Sequence, residues 1–255
     1  DAMLKPLQHP ASSAIVSVFT PSEILQEAGL NPYNVEGFSC YLSGSRAERL
    51  FLQQAENAGI SETLCSYHKT FLGAADKDVP SDLVTPLYSG MVNNILLGSQ
   101  QVENYVDRLR ADIEKAPPAR GKRIYWMHTI PFWSAAARQA PAFSEKAQIV
   151  GCELSQVCEP DFDPEEPFEA MAYRMVNHVL NGSGLRRIEA GIRHAKEAGA
   201  DGVVWFNHWG CKHTLGAAQL AKKKFEEHGL PLLILDGDGC DRSHGGEGQT
   251  STRLE

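Results

Sequence analysis

The sequence predicts an α/β protein built on parallel sheets, and three observations carry that expectation. Short apolar runs alternate with helical patterns, the spacing of βαβ units. One of the runs, Val203 to Phe206, reads as a buried strand. Several of the runs stop at polar, glycine-containing turns, where open parallel sheets place their ligands.

In chain order, Ala14 to Phe19 is strand-like and Thr20-Pro21-Ser22-Glu23 opens a helix. Thr20 can cap it, Pro21 suits the first helical position, and Glu23 can reach back in a capping box. That helix ends near Gly29, and Asn31-Pro32 makes a turn before Val35 to Cys40. A helix spans Arg46 to Ala58, with Leu50, Leu52 and Ala55 apolar. Cys65 leads a short helix to about Leu72, and Asp76 to Ser81 is a polar loop. Tyr88 to Lys115 is helical in pattern and is divided at Gly98-Ser99. Ala116 to Gly121, with its two prolines, is the clearest linker. The organisation expected is an N-terminal α/β domain over 1–84, a helical segment over 85–116 and a C-terminal α/β domain over 117–255.

In the C-terminal part, Lys122 to His128, Gln148 to Cys152, Val203 to Phe206 and the run after Leu230 are strand candidates. Helical patterns at Pro167 to Leu180, Leu185 to Ala198 and Thr214 to His228 separate or follow them, with Ile188, Ile192 and Ala195 at helical spacing. Right-handed crossovers put the strand ends on one edge of the sheet. Cys152, Cys211 and Cys240 should therefore face one crevice, with His128 and Asp238 near them.

Composition narrows the function. At 255 residues, 42% hydrophobic and 22% charged, the chain has the length for one to two ordinary domains. A net charge of −8 without a basic stripe argues against nucleic acid, although Lys122-Arg123 and Arg186-Arg187 are local basic spots. No apolar run approaches the ~20 residues that span a bilayer, so a cytoplasmic protein with no membrane partner is expected. Six cysteines in such a sequence favour reduced thiols or metal ligands over disulfides.

The thiols are the candidate chemistry. Cys211 lies between His208 and His213 at the end of a strand, a placement suited to a metal or to redox chemistry and equally compatible with a buried structural cysteine. Cys40 and Cys65 flank a helix and form no local C-x-x-C clip. The paired short spacings of a zinc ribbon and the run of a ferredoxin are both absent. Cys152 and Cys158 lack a matching second pair. Any iron would thus be held by ligands from distant parts of the chain. His208 is a candidate hydrogen-bond donor to the ligands of a bound metal or a proton-transfer group, or a histidine packed under the turn. Lys212 and His213 read as surface or helix-start residues. Asp236 and Asp238 suit a cation or a turn cap, and Trp209 could wall a pocket. No G-x-G-x-x-G follows a strand, which leaves a nicotinamide or flavin site little support.

Arg120 to Ile130, Ala200 to Gly216 and Leu235 to Arg253, with the weaker stretches Thr20 to Leu30 and Leu64 to Lys69, resemble the iron–sulfur component of the 2-hydroxyacyl-CoA dehydratase and benzoyl-CoA reductase family. The resemblance runs over most of the chain. It implies two flavodoxin/Rossmann-like domains with a helical connecting segment, and a cluster between the domains. The cysteines matching the family's three ligands are Cys40, Cys65 and Cys211, which leave one iron of a [4Fe-4S] cluster open. His208, three residues before Cys211, is the candidate for a catalytic role. The implied enzyme is an anaerobic lyase or reductase acting on an acyl-CoA. It would receive its electron from a separate ATP-hydrolysing iron–sulfur activator, and this chain has no P-loop of its own. A homodimer or a related second subunit is implied as well.

Two departures stand out. Family members are longer, and continuity breaks around Leu83 to Thr85. Cys152 and Cys240 are extra candidate metal ligands. They make the family's double-cubane [8Fe-9S] branch, which reduces small molecules, a rival. A non-catalytic electron-relay subunit is the alternative from another class.

Overall fold

Two parallel sheets organise the computed structural model, which describes residues 9–16, 20–44, 46–75, 83–84, 107–108, 111, 114–115, 121–131, 147–155, 165–244 and 252–253. The C-terminal sheet contains β4 (Lys122–Met127), β5 (Ala147–Cys152), β6 (Gly202–His208) and β7 (Leu232–Gly237) in the order β5-β4-β6-β7. Every pairing in it is parallel. All seven residues of β6 are buried, so both faces of the sheet are covered.

The strand period of two divides the core. Tyr125, Met127, Val203 and Trp205 meet Ile188, Ile192 and Ala195 of one helix and Ala217, Ala218, Ala221 and Phe225 of another. These are α6 (Gly184–Glu197) and α7 (Lys212–Glu227). Trp126, Val204, Phe206 and Leu235 form the opposite face with Ile124 and Ile149. Gly191 sets the spacing of α6 on the sheet: a Cβ there would lie 2.8 Å from Met127 Sδ and 3.1 Å from Phe225 Cζ. Ser183 starts α6 by accepting the Arg186 N–H at 3.3 Å. The preceding helix, α5 (Pro167–Asn177), carries proline in its first turn.

The N-terminal sheet has the order β2-β1-β3, with β1 (Ser13–Val16), β2 (Asn31–Asn34) and β3 (Leu83–Val84) all parallel. Between β1 and β2 runs α1 (Ser22–Glu27), and after β2 come α2 (Val35–Gly44), α3 (Glu48–Asn57) and α4 (Ser66–Ala75). Tyr33, Phe38, Leu42 and Ala74 are the core here, with Ile15, Phe51 and Phe71 packed on them.

Two local expectations differ from this structure, and the segment Val35 to Cys40 is settled by it. Asn31-Pro32 opens a strand and makes no turn, with Pro32 in register with Ala14. β2 is an edge strand, where a missing N–H is tolerated. Val35 to Cys40 belongs to a helix, because the Asn34 side chain accepts the Gly37 N–H at 2.5 Å and caps it. The expected capping box at α1 does not form. Pro21 precedes the helix with no side-chain cap, and Glu23 pairs with Arg174 of α5. Cys158, the linker residues 116–120 and most of the helical pattern from Tyr88 to Lys115 lie outside the described residues. Among the described residues no helix is long and apolar enough to cross a membrane.

A methyl group at Gly191 would force Met127 and Phe225 apart, and overpacking of this kind costs about 1–3 kcal/mol. We expect Gly191→Ala to lower the urea midpoint accordingly. Gly216→Ala, on α7 with open space around it, should leave the midpoint unchanged or raise it. Equal midpoints for the two variants would contradict the packing described.

Candidate functional site

The two sheets bring cysteines together through helix starts. Cys65 precedes α4 and its carbonyl accepts the Lys69 N–H at 3.0 Å. The backbone N–H groups of Tyr67 and His68 face its thiol and pull its pKa down against burial. Cys211 caps α7, and its carbonyl accepts the Leu215 N–H at 3.0 Å. The positive ends of two helices therefore point towards thiols that would carry negative charge when bound to a metal. Gly210 makes their approach possible. It adopts φ +81°, and a Cβ there would lie 2.7 Å from both the nitrogen and the Cα of Cys65.

Cys40 lies on α2 and joins this group. Burial is the main reason that Cys40 and Cys65 are both pushed up to about 12. Negative charge on Cys65 raises Cys40 further, and negative charge on Cys211 raises Cys65. Cys65 is thus the middle of the group, near enough to Cys40 and to Cys211 for charge to be felt between them.

His208 reaches the same place from the end of β6. Its Nδ1 accepts the Gly239 N–H at 2.9 Å, so the ring proton sits on Nε2, which lies 3.3 Å from Cys65 Sγ. Burial holds the imidazole below its ordinary pKa, in the neutral form. His208 is thus placed as a hydrogen-bond donor to Cys65 sulfur. Tyr67 stacks tilted on it at 5.0 Å between ring centres. The Tyr67 phenol faces Cys40 and lowers the pKa of its thiol against the larger effect of burial. Trp209 is half-exposed beside His244, 5.6 Å between rings.

The remaining candidates lie around this centre. Cys240 is fully buried, 3.5 Å from Thr70 Oγ1 and 3.8 Å from the Ser39 carbonyl. Burial above all raises its pKa, and negative charge on Asp238 and on Cys40 adds to that. Cys152 ends β5 with its sulfur 3.9 Å from the His128 carbonyl. Asp238 acts as a turn cap: its Oδ1 accepts the N–H groups of Cys240 and Asp241 at 2.8 and 2.7 Å, and the Ser66 hydroxyl at 2.5 Å. His128 has φ +71° and places Nε2 3.8 Å from Cys211 Sγ.

Two features were missed by sequence reasoning. The first is Glu36, one helical turn before Cys40, which burial pushes up to about 7 and which lies 3.8 Å from His68 Nε2. The second is a buried ion pair. Arg187 grips Glu153 with Nε–Oε1 at 2.6 Å and Nη2–Oε2 at 2.5 Å, and its Nη1 donates to Thr214 Oγ1 at 3.1 Å. Thr214 Oγ1 lies 3.1 Å from Cys211 Sγ. A signal existed, since Arg187 shares the buried stripe of Ile188, Gly191 and Ile192 on α6.

Among the described residues, no three His, Cys, Asp or Glu side chains converge to hold a single metal ion. An iron–sulfur cluster makes a different demand, because each thiolate binds a separate iron of the inorganic core. An all-sulfur donor set, half-buried and with N–H donors at Cys65, fits such a group.

Comparison with known families gives one finding. The model of 2-hydroxyglutaryl-CoA dehydratase, D-component, matches residues 81–255, more than half of the chain. The matched stretch contains His208, Cys152, Cys211 and Cys240, while Cys40 and Cys65 precede it. No curated protein matches the chain.

The raised thiols give a direct test. At pH 9 an ordinary thiol is about half ionised, whereas one at about 12 is ionised on the order of one part in a thousand. Iodoacetamide should alkylate Cys40 and Cys65 of the folded, metal-free protein roughly 500-fold more slowly than the urea-unfolded chain at that pH. Because the folded pKa is raised, the gap should close as pH climbs towards 12. Equal rates at pH 9, read by peptide mass mapping, would show that the fold does not keep these thiols protonated.

Proposed function

The chain belongs to the family of the 2-hydroxyglutaryl-CoA dehydratase D-component, and from that membership we propose that it is the iron–sulfur component of a 2-hydroxyacyl-CoA dehydratase or benzoyl-CoA reductase-like enzyme. The observation that carries the reading is the contact of Gly210 with the backbone of Cys65, which brings the start of α7 and Cys211 to the start of α4. Cys40, Cys65 and Cys211 would hold a [4Fe-4S] cluster between an N-terminal domain, 1–84, and a C-terminal domain, 117–255, with 85–116 connecting them. Such a cluster supplies one-electron transfer and, at the iron without a protein thiolate, a Lewis-acidic position for a substrate oxygen.

The chain's own residues do the rest. Neutral His208 donates its Nε2–H to Cys65 sulfur, and Thr214 places a hydroxyl against Cys211. The two helix N-termini stabilise negative charge on both sulfurs. Glu36 can hold or release a proton near neutral pH beside Cys40, which suits loss of a substrate hydroxyl. Trp209 offers an exposed ring face to the bound molecule. The electron comes from a separate ATP-hydrolysing iron–sulfur activator, and a second identical or related subunit completes the enzyme.

A double-cubane reductase of small molecules is the second reading. The proximity of Cys240 to Cys40 and of Cys152 to His128 favours it, since that group needs more thiolates. Iron and sulfide counts on anaerobically purified protein separate the two readings. About four irons per chain support a single cubane and about eight the double form.

Cys65→Ala and Cys211→Ala should each lose most of the iron. Gly210→Ala should lose as much with all thiols present, because an L-residue in that conformation costs about 1–2 kcal/mol and its Cβ meets Cys65. Turnover of a 2-hydroxyacyl-CoA with activator and ATP would reject a relay role. Oxygen-free protein without iron or sulfide would sink the proposal.

A further inference from the structure

We propose that Thr214 and Arg187 set how readily the site accepts an electron: Thr214 as hydrogen-bond donor to the Cys211 sulfur, and Arg187 as the residue that aims it. The inference rests on the cluster reading above and adds two positioning residues, with Glu153 as their anchor.

Thr214 is fully buried in the first turn of α7. Its oxygen accepts an N–H from Arg187 at 3.1 Å. A hydroxyl that receives a cationic donor on its lone pair directs its own hydrogen elsewhere. The Cys211 sulfur, also at 3.1 Å, is the acceptor at hand. The positive charge behind the oxygen polarises the O–H and strengthens the bond to a thiolate.

Arg187 has little freedom to move. Glu153 holds it by two bonds, and its guanidinium lies 4.9 Å over the Trp205 ring. Its remaining nitrogen, Nη1, also lies 3.2 Å from His213 Nδ1. Glu153 Oε2 takes the His128 N–H at 2.8 Å, and His128 Nε2 is 3.8 Å from the same sulfur. One ion pair thus supports both polar neighbours of Cys211. Buried ion pairs add little to stability over apolar residues of the same volume. An arginine in the apolar stripe of α6 is accounted for by what it does for Thr214 and His128.

A hydrogen bond to a cluster thiolate withdraws electron density and makes one-electron reduction easier. No bond forms or breaks in this arrangement, and the proton stays on Thr214. The single electron comes from the activator already named.

The test is an anaerobic redox titration of the whole chain, with iron counted first. Thr214→Val keeps the shape and removes the hydroxyl. We expect it to retain wild-type iron while its reduced-to-oxidised ratio at a fixed poise falls about tenfold, which is 59 mV for a one-electron couple. Thr214→Ser should restore the ratio. Arg187→Lys, which cannot fork onto Glu153 and Thr214 together, should move it in the same direction as the valine. Full iron with an unchanged ratio in Thr214→Val overturns the inference. So does loss of iron in that variant, which would make Thr214 a support of the turn alone. Wild-type chain that takes up no iron overturns the cluster reading and this inference with it. The initial iron count tells that failure apart from the others.

Discussion

Gly210 has no Cβ, and the turn that carries Cys211 uses the vacant space to lie against the backbone of Cys65. The rest of the site follows from that approach. A strand of the C-terminal sheet ends there, a helix of the N-terminal half begins there, and no other residue type fits both the close contact and a φ of +81°. Once the two backbones touch, His208 is within reach of Cys65, and the Cys211 thiol comes close enough for its charge to raise the pKa of Cys65 beyond what burial does. Side chains that are ordinary in sequence become chemically special through one missing methyl group.

Polar groups hold the approach in place. Asp238 gathers two backbone N–H groups of its own turn and the Ser66 hydroxyl beside Cys65, while Ser43 donates to the Cys240 carbonyl at 2.8 Å. Each bond is buried, so losing one partner leaves a desolvated group that costs about 1–3 kcal/mol. The junction is therefore more sensitive to small displacements than an apolar contact would be. That suits a site whose groups must be held in one geometry.

Much of the C-terminal sheet was legible in the sequence. Val203 to Phe206 reads as a strand because it is apolar without interruption, and it is buried on both faces. Ile188, Ile192 and Ala195 read as a helix face because they meet the sheet at helical spacing. Topology predicted that the strand ends would gather Cys152, Cys211 and Cys240 with His128 and Asp238; in the structure His128 lies beside both Cys152 and Cys211, while Asp238 caps the turn that carries Cys240. The N-terminal half was harder. Asn31-Pro32 has the chemistry of a turn, and only its register with β1 makes it a strand. Glu23 has the chemistry of a cap, yet an arginine 151 positions away takes it. The ion pair behind Cys211 escaped for the same reason, since Glu153 and Arg187 are 34 residues apart and no local pattern joins them. Gly210 was visible as a glycine but not as a contact, because its partner lies in the other half of the chain.

Cys65 and His208 are 143 positions apart, and Ser43 and Cys240 are 197. Contacts this distant along the chain form late, after much loop entropy has been lost. During synthesis Cys40 and Cys65 leave the ribosome well before Cys211 exists. On the proposed reading this orders maturation in time: a cluster held by Cys40, Cys65 and Cys211 could be locked in only when the last strands have docked, and until then the early cysteines would be open to oxygen and to stray metal ions.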